Sequence, residues 1–478
     1  MKGYSIDGRT FHFEGDLEAA QPVGSYVLVD AGAGRSFLGR ILSQSVETEA
    51  AVSALGPPRR LCGQGTLLAR VDGDGFGRVD TTDTFTDASI RPADSGQVAE
   101  HLAASLGKGA ALEIGAIQGQ PDVRALLHAK GFGRHTFLCG QSGSGKTYTL
   151  GVILERLLLG TDIDLIVLDP NSDYVNLDTV APADGPTHGD DDLADRYPGV
   201  AQDVKIFGGE GAANRLQARF SRLSLEQQTM ILGLNPVVDA DEYNAFVRII
   251  RGLHTSEYSL EDIIDQTRAS FEADTRLLGL RIDNLGVARQ SIWGGGEERV
   301  MDAVDGRRVM VADLGSLPDA TETSIAAAAV LGYLWDNRKD RRPTIIVIDE
   351  AHNICPQNPG SENQALATEH VVRIAGEGRK FGLYLLLSTQ RPAKVHQNVI
   401  SQCDNLILMR MNSAVDIDEL AHTFSFVPPS LIAQAANFTL GEGLAAGRIA
   451  PDPLLFKSGR RLTLEGGGDV PSDWAAAR

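Results

Sequence analysis

The sequence predicts an α/β protein with a mostly parallel sheet, a helical insertion and a small N-terminal β-barrel or sandwich. Three observations carry that expectation. Residues 1–95 alternate short β-rich runs with turn residues, as a small barrel or sandwich does. From residue 110 apolar strand-like runs alternate with helical stretches, the pattern of a parallel sheet covered on both faces. Residues 212–300 break that alternation and read as amphipathic helices.

The N-terminal runs are Ser25-Tyr26-Val27-Leu28-Val29, Leu38-Gly39-Arg40-Ile41-Leu42 and Gly65-Thr66-Leu67-Leu68-Ala69-Arg70-Val71. Asp30-Ala31-Gly32-Ala33-Gly34, Gly56-Pro57-Pro58 and Asp72-Gly73-Asp74-Gly75 separate or follow them, each rich in residues that favour turns. Ala93 to Gly109 reads as a helical connector. Strands are then expected at Thr136 to Cys139, Leu165 to Leu168, Arg308 to Ala312, Ile345 to Ile348, Leu383 to Leu387 and Asn405 to Leu408. Helices are expected from Leu216-Gln217-Ala218-Arg219-Phe220 onward, over Ala240 to Leu253 and over Leu260 to Leu285. The expected division is a barrel over 1–95, a core over 96–211, the insertion over 212–300, the rest of the core over 301–450, and a tail over 451–478. The glycines at Gly466-Gly467-Gly468 make a flexible tail the expectation.

The most specific chemistry lies at Gly140-Gln141-Ser142-Gly143-Ser144-Gly145-Lys146-Thr147, a full G-x-x-x-x-G-K-T phosphate loop. Thr136-Phe137-Leu138-Cys139 precedes it as a strand, and Tyr148 to Leu159 follows with helical periodicity. Glycines let backbone N–H groups converge on phosphate oxygens, and the helix N-terminus adds positive potential there. Lys146 is expected to reach the β- and γ-phosphates of ATP, and the Thr147 hydroxyl to ligate Mg²⁺. Gly140 to Tyr148 is the expected nucleotide-binding segment.

Pro343-Thr344-Ile345-Ile346-Val347-Ile348-Asp349-Glu350 is an apolar strand ending in two carboxylates. Asp349 would orient Mg²⁺ and Glu350 would polarise the attacking water. Leu385-Leu386-Leu387-Ser388-Thr389-Gln390 is a second such strand, and Gln390 would sense the γ-phosphate or hold the water. Before it, Arg379 in Glu377-Gly378-Arg379-Lys380-Phe381-Gly382 is either an arginine finger for a neighbouring subunit or a solvated helix C-cap. Leu168-Asp169-Pro170-Asn171-Ser172-Asp173-Tyr174 is a further strand end, where ligands bind in open α/β sheets, or a plain turn. His352 reads as a residue of the loop after Glu350, since no H-x-x-x-H or C-x-x-C accompanies it as a metal site would require. No hydrolase triad is legible.

The net charge of −19 argues against a surface coated in basic residues for nucleic acid, while leaving room for a local basic channel inside a ring. Gly189-Asp190-Asp191-Asp192-Leu193-Ala194-Asp195 reads as a solvated acidic loop. No apolar run approaches the ~20 residues of a membrane span, and the first residues carry no apolar leader. Cys62, Cys139, Cys355 and Cys403 are widely spaced, which reads as reduced thiols packed in a cytoplasmic protein.

Taken with their spacing, these segments resemble the HerA family, hexameric DNA-translocating ATPases related to FtsK. Leu38-Gly39-Arg40-Ile41 resembles the family's N-terminal barrel, shared with ATP synthase subunits. Arg134-His135-Thr136 resembles its R-H pair before the phosphate loop. Residues 168–174 resemble L-D-P-H-G-E-Y, with Asn171 in place of His and Ser172 in place of Gly. Glu377 to Gly382 and Ser388-Thr389-Gln390-Arg391-Pro392 resemble E-G-R-K-F-G and S-Q-R-P, and Ile400-Ser401-Gln402-Cys403 and Leu440-Gly441-Glu442-Gly443 match further downstream. The resemblance implies a RecA-like P-loop ATPase core, a homohexameric ring, double-stranded DNA in its pore, and a separate nuclease of NurA type or a defence effector as partner. It leaves two alternatives open: a conjugation- or secretion-type motor, and a nucleotide-gated scaffold for an effector.

Overall fold

Glycine placed opposite phenylalanine closes the N-terminal barrel. In the computed structural model, strands β1 (Lys2–Ser5), β2 (Thr10–Gly15), β3 (Tyr26–Asp30), β4 (Ser36–Thr48), β5 (Arg59–Asp72), β6 (Gly75–Gly77) and β7 (Phe85–Pro92) form one sheet, ordered β2-β1-β7-β3-β4-β5-β6. A further β2–β5 pairing joins its ends, so six strands close on themselves and β6 hangs from β5. In that pairing Phe11 lies opposite Gly65 and Phe13 opposite Gly63. A Cβ on Gly65 would lie 2.2 Å from the Phe11 ring, and one on Gly63 2.3 Å from Phe13. The rings cover bare backbone, a device that lets strands bend tightly at a barrel corner. Phe11, Phe13, Val27, Val29, Phe37, Ile41, Phe85 and Ile90 fill the interior. Closure also removes the free strand edges on which other chains could pair.

The structure describes residues 1–48, 59–73, 75–182, 191–253, 257–293, 304 and 308–467. The expected turn at Gly56-Pro57-Pro58, Asp74, Gly189 and Asp190 of the expected acidic loop, and the residues beyond Gly467 lie outside them. Asp191 to Asp195 are not loop but the start of a helix (Asp191–Ala201), and the expected tail over 451–478 instead holds a strand of the sheet (Leu454–Ser458).

Two compact units are built from interleaved segments. One comprises Met1–Phe132, Leu138–Thr161 and Asp404–Arg460; the other Gly133–Phe137, Asp162–Cys403 and Arg461–Arg478. The chain passes between them within β10 (Thr136–Cys139).

The first unit carries the barrel, helix α1 (Ser95–Leu106) and helix α2 (Lys146–Gly160). It also carries β8 (Ala111–Ile117), β9 (Gln120–His128), β16 (Asn405–Met409), β17 (Glu442–Gly447) and β18 (Leu454–Ser458). Asp94 caps α1 through a capping box with Gln97. The strands run in the order β16-β17-β18-β8-β9, all antiparallel. Of these strands β16 was expected; β8 and β9 were not legible, being half-exposed and joined only by Gln118-Gly119, with Gly119 at φ 77°. Arg156 of α2 ties helix to sheet, donating to the Glu113 carbonyl at 2.9 Å and the Arg460 carbonyl at 3.0 Å.

The second unit holds the parallel sheet. Its strands β11 (Asp164–Asp169), β12 (Val204–Phe207), β13 (Val309–Asp313), β14 (Thr344–Ile348) and β15 (Leu383–Thr389) run β12-β13-β11-β14-β15. Every pairing is parallel, with Asp164 beside Thr344 beside Leu383, and Leu168 beside Ile348 beside Leu387. All five residues of β14 are buried, the continuous apolar run expected of a strand covered on both faces. One edge of this sheet therefore gathers every strand's carboxyl end.

The insertion contains α4 (Leu225–Ile231), α5 (Ala240–Gly252), α6 (Leu260–Ala269) and α7 (Ala273–Leu285), after α3 (Asp191–Ala201). The expected helix over Leu260 to Leu285 is two, broken where Ser270 and Glu272 take extended backbone and Ser259 and Glu272 each stand before a helix start. Leu216 to Ala218 is not helical; Ala218 bridges to Trp293 instead. Arg281 of α7 binds Asp239 at 2.7 Å and both Glu242 oxygens, fixing α7 on α5. The insertion docks through α4, whose Gln227 donates to the Ala328 carbonyl of α8 (Ala320–Asp336) and meets His370 of α10 (Glu362–Glu377) at 3.2 Å. Burial pushes His370 down to about 4, so this contact is made by a neutral imidazole. Among the described residues no helix is long and apolar enough to cross a membrane.

Candidate nucleotide site: a phosphate loop and an acidic strand end

The phosphate loop sits in the first unit, between β10 and α2. Gly143 and Gly145 take φ 70° and 88°, a backbone that glycine adopts without strain. A Cβ on Gly140 would lie 2.6 Å from the Met409 side chain, and one on Gly145 3.1 Å from the Gly441 amide nitrogen. The loop is braced from β16 and β17: Gln141 N–H donates to the Arg410 carbonyl at 2.9 Å, Arg410 to the Gly143 carbonyl at 2.9 Å, and Gly441 N–H to the Ser144 carbonyl at 2.9 Å. Asn412 N–H donates to the Gln141 side chain at 3.1 Å.

Helix α2 begins at Lys146, with Gly145 as its N-cap and therefore no side-chain cap on its first amides. Among the described residues nothing hydrogen-bonds the Ser144 hydroxyl, which is fully buried. Uncapped amides, an orphaned hydroxyl and the buried Lys146 fit the phosphates of a nucleotide. Ser142 and Thr147 complete the motif, and Tyr148 and Thr149 lie in the first turn of α2, where Thr149 bonds Ser458 at 2.7 Å.

The carboxylates sit in the second unit, at the carboxyl edge of the parallel sheet. Asp349 follows β14 and is fully buried. Asp169 ends β11, and Asp173 follows in its turn. The three carboxylates offer ligand oxygens within 4.8 Å of one another. Such hard oxygen donors suit Mg²⁺, which would supply charge for the phosphate oxygens there. Burial pushes the Asp169 carboxyl up to about 7, against the backbone N–H groups of Tyr174 and Asp173 that favour its charged form. Those bonds are 2.8 and 3.0 Å long. Asp169 thus organises the turn that the sequence left open between a ligand edge and a plain bend.

That turn explains a departure from the family motif. Ser172 stands where the motif has glycine, and its φ is 61°, in the left-handed region. A non-glycine residue there costs about 1–2 kcal/mol. Its hydroxyl offsets the strain by donating to Asp313 at 2.6 Å, a bond to a charged partner worth about 1.5–3 kcal/mol. Ser172→Ala keeps the strain and loses the bond, so thermal melting should show a loss of about 2 kcal/mol. Ser172→Gly should stay within about 1 kcal/mol of the native protein. Equal losses in the two variants would contradict this account.

Glu350 also takes a left-handed backbone, φ 41°, as the N-cap of α9 (Ala351–Ile354). It is 5 % exposed. One carboxylate oxygen accepts from the Gln390 N–H at 3.4 Å and lies 3.1 Å from His352 Nδ1. The structure thus brings together Asp349, Glu350 and Gln390. Burial leaves the neighbouring Cys355 thiol inert, pushed up to about 12.

Arg379 lies elsewhere. It follows α10 in the turn Gly378–Phe381, before β15, at the sheet's amino edge. The seven residues of β15 separate it from Gln390, a span of about 20 Å. Exposed Arg134 and buried His135 precede β10, and His135 Nδ1 accepts from the Leu385 N–H at 2.9 Å. Arg391 is exposed at the opposite, carboxyl edge.

Residues 112–331 match the family model described as the central domain of the helicase HerA. The chain is an ATPase similar to the HerA helicases. It is 24% identical over 397 residues to the DNA double-strand break repair helicase HerA of Pyrococcus furiosus, covering 72% of this chain and 69% of that protein. It is 22% identical to the protein of the same name from Saccharolobus solfataricus over 379 residues, 72% of this chain and 68% of the other. The bacterial conjugative coupling protein TrwB is similar at TM-score 0.49 and 13% identity, over 79% of this chain and 94% of that one.

Proposed function

We propose that this ATPase is a HerA-type, ring-shaped motor that moves along double-stranded DNA, with Asp349 and Glu350 as its hydrolytic centre. One observation carries the reading. A buried parallel strand delivers both carboxylates to the sheet's carboxyl edge, beside the tip of the strand that bears Gln390. Glu350 would polarise the attacking water, Gln390 would report the γ-phosphate, Lys146 would hold the β- and γ-phosphates, and Thr147 and Asp349 would be the ligands for Mg²⁺. The HerA relatives are named for DNA double-strand break repair, which supports duplex DNA as the track and work in DNA end processing. A separate nuclease or defence effector would supply any cutting, and a soluble cytoplasmic ring suits that task.

The position of Arg379 supports the ring. At about 20 Å from its own Gln390, it is out of reach of the chemistry in its own subunit. It either serves a neighbour's site, as the ring reading requires, or only caps the helix it follows. Light scattering at micromolar protein should therefore give the mass of a hexamer in the presence of ATP and DNA. A monomer under every nucleotide and DNA condition would rule out the ring.

A further inference from the structure

The catalytic carboxylate is not held by its own loop alone. His352, two residues on, places Nδ1 3.1 Å from the same Glu350 oxygen that accepts from the Gln390 N–H. The same Nδ1 lies 3.0 Å from Thr389 Oγ1, the last residue of β15. Thr389 Oγ1 in turn accepts from the Arg391 N–H at 3.0 Å. Both side chains of the histidine–glutamate pair are nearly buried, at 10% and 6% exposure, so water replaces neither contact freely.

A carboxylate offers only lone pairs, so a bare Nδ1 facing Glu350 would repel it. Nδ1 must therefore carry the proton. That one N–H is shared between two acceptors, Glu350 on the β14 side and Thr389 on the β15 side. The imidazole is a strut between the hydrolytic carboxylate and the strand tip that carries Gln390. Without it, Glu350 keeps its left-handed backbone but loses the side-chain donor that fixes its carboxylate.

We propose that His352 is a positioning residue for Glu350, anchoring the carboxylate to the tip of β15 through the hydrogen bonds it shares with Thr389. This rests on the assignment of Glu350 as the hydrolytic carboxylate. His352 acts through Glu350 and ties its orientation to the strand on which Gln390 sits. Its loss should therefore appear in turnover and not in nucleotide affinity.

The test uses the full chain with ATP and DNA. His352→Ala should lower kcat about 10- to 100-fold, while the Michaelis constant for ATP and the binding of a fluorescent ATP analogue stay within about twofold. His352→Asn, whose amide N–H can replace Nδ1–H, should recover most of the rate. Thr389→Val, which removes one anchor of the ring but leaves the imidazole against Glu350, should cost less than His352→Ala and serves if the alanine variant does not fold. A residue acting only through Glu350 adds nothing once Glu350 is gone, so His352→Ala with Glu350→Gln should be no slower than Glu350→Gln alone. Additive losses, a change confined to ATP affinity, or an asparagine variant no better than alanine would overturn the proposal. Native-like turnover in His352→Ala beside an inactive Glu350→Gln would sink this inference alone. Native-like turnover in Glu350→Gln would sink the assignment of the hydrolytic centre beneath it.

Discussion

Glu350→Gln should bind ATP like the native protein and hydrolyse it about 10³-fold more slowly, a barrier increase of about 4 kcal/mol. The amide is nearly the same size as the carboxylate, so the left-handed turn at residue 350 and the fully buried β14 are preserved. On the proposed assignment, what is lost is the negative charge that draws a proton from the attacking water. Nucleotide binding, which depends on the phosphate loop around Lys146, should persist. A trapped-nucleotide assay and steady-state phosphate release together separate the two. Turnover close to native would assign the hydrolytic role to another residue.

Arg379→Ala should be inactive alone yet regain activity when mixed with Lys146→Ala subunits. The parallel register puts Arg379 and Glu350 at opposite ends of the sheet strands, about 20 Å apart in one chain. An arginine at a γ-phosphate is worth about 10³-fold or more in phosphoryl transfer, so its removal has a large effect wherever it acts. In a mixed ring, an Arg379→Ala subunit with an intact phosphate loop can face a Lys146→Ala neighbour that still carries Arg379. Such an interface is complete. Mixed rings without recovered ATPase would mark Arg379 as a helix C-cap, with Arg134 and Arg391 the next arginines to test.

The parts of the site that were legible in the sequence are those whose chemistry is contiguous. Gly140 to Thr147 announces its own loop, since each glycine is required by backbone conformation or a close approach. Thr344 to Glu350 reads as a buried parallel strand because five apolar or β-branched residues in a row have no polar face. The barrel was visible through its turns. The contacts that cross many residues were not. His352 looked like a loop residue, and nothing local joins it to Thr389, 37 positions away. The antiparallel β8–β9 pair escaped because half-exposed strands dilute the apolar run that betrays the parallel ones, and the Gln118-Gly119 dipeptide was the available hairpin signal. β17 is buried but escaped because its two glycines and two alanines have low strand preference. Ser172 was noticed as a glycine replaced, but its left-handed φ and its bond to Asp313 belong to tertiary structure.

The ATPase rate of the assembled protein, titrated with duplex DNA at low salt, decides between a motor on double-stranded DNA and the alternatives. With 44 Lys and Arg against 63 Asp and Glu the chain has no broadly basic surface to meet a strand, and the segment Cys355-Pro356-Gln357-Asn358-Pro359-Gly360 after Glu350 carries no Lys or Arg. Contacts should be few and mostly to phosphates, so binding should weaken with salt along a shallow slope and ignore base composition. Duplex DNA should raise the hydrolysis rate, equally for sequences rich in A·T and G·C. Duplex DNA that neither binds the ring at low salt nor changes its ATPase rate would contradict the account and leave a protein-moving motor or a nucleotide-gated scaffold in its place.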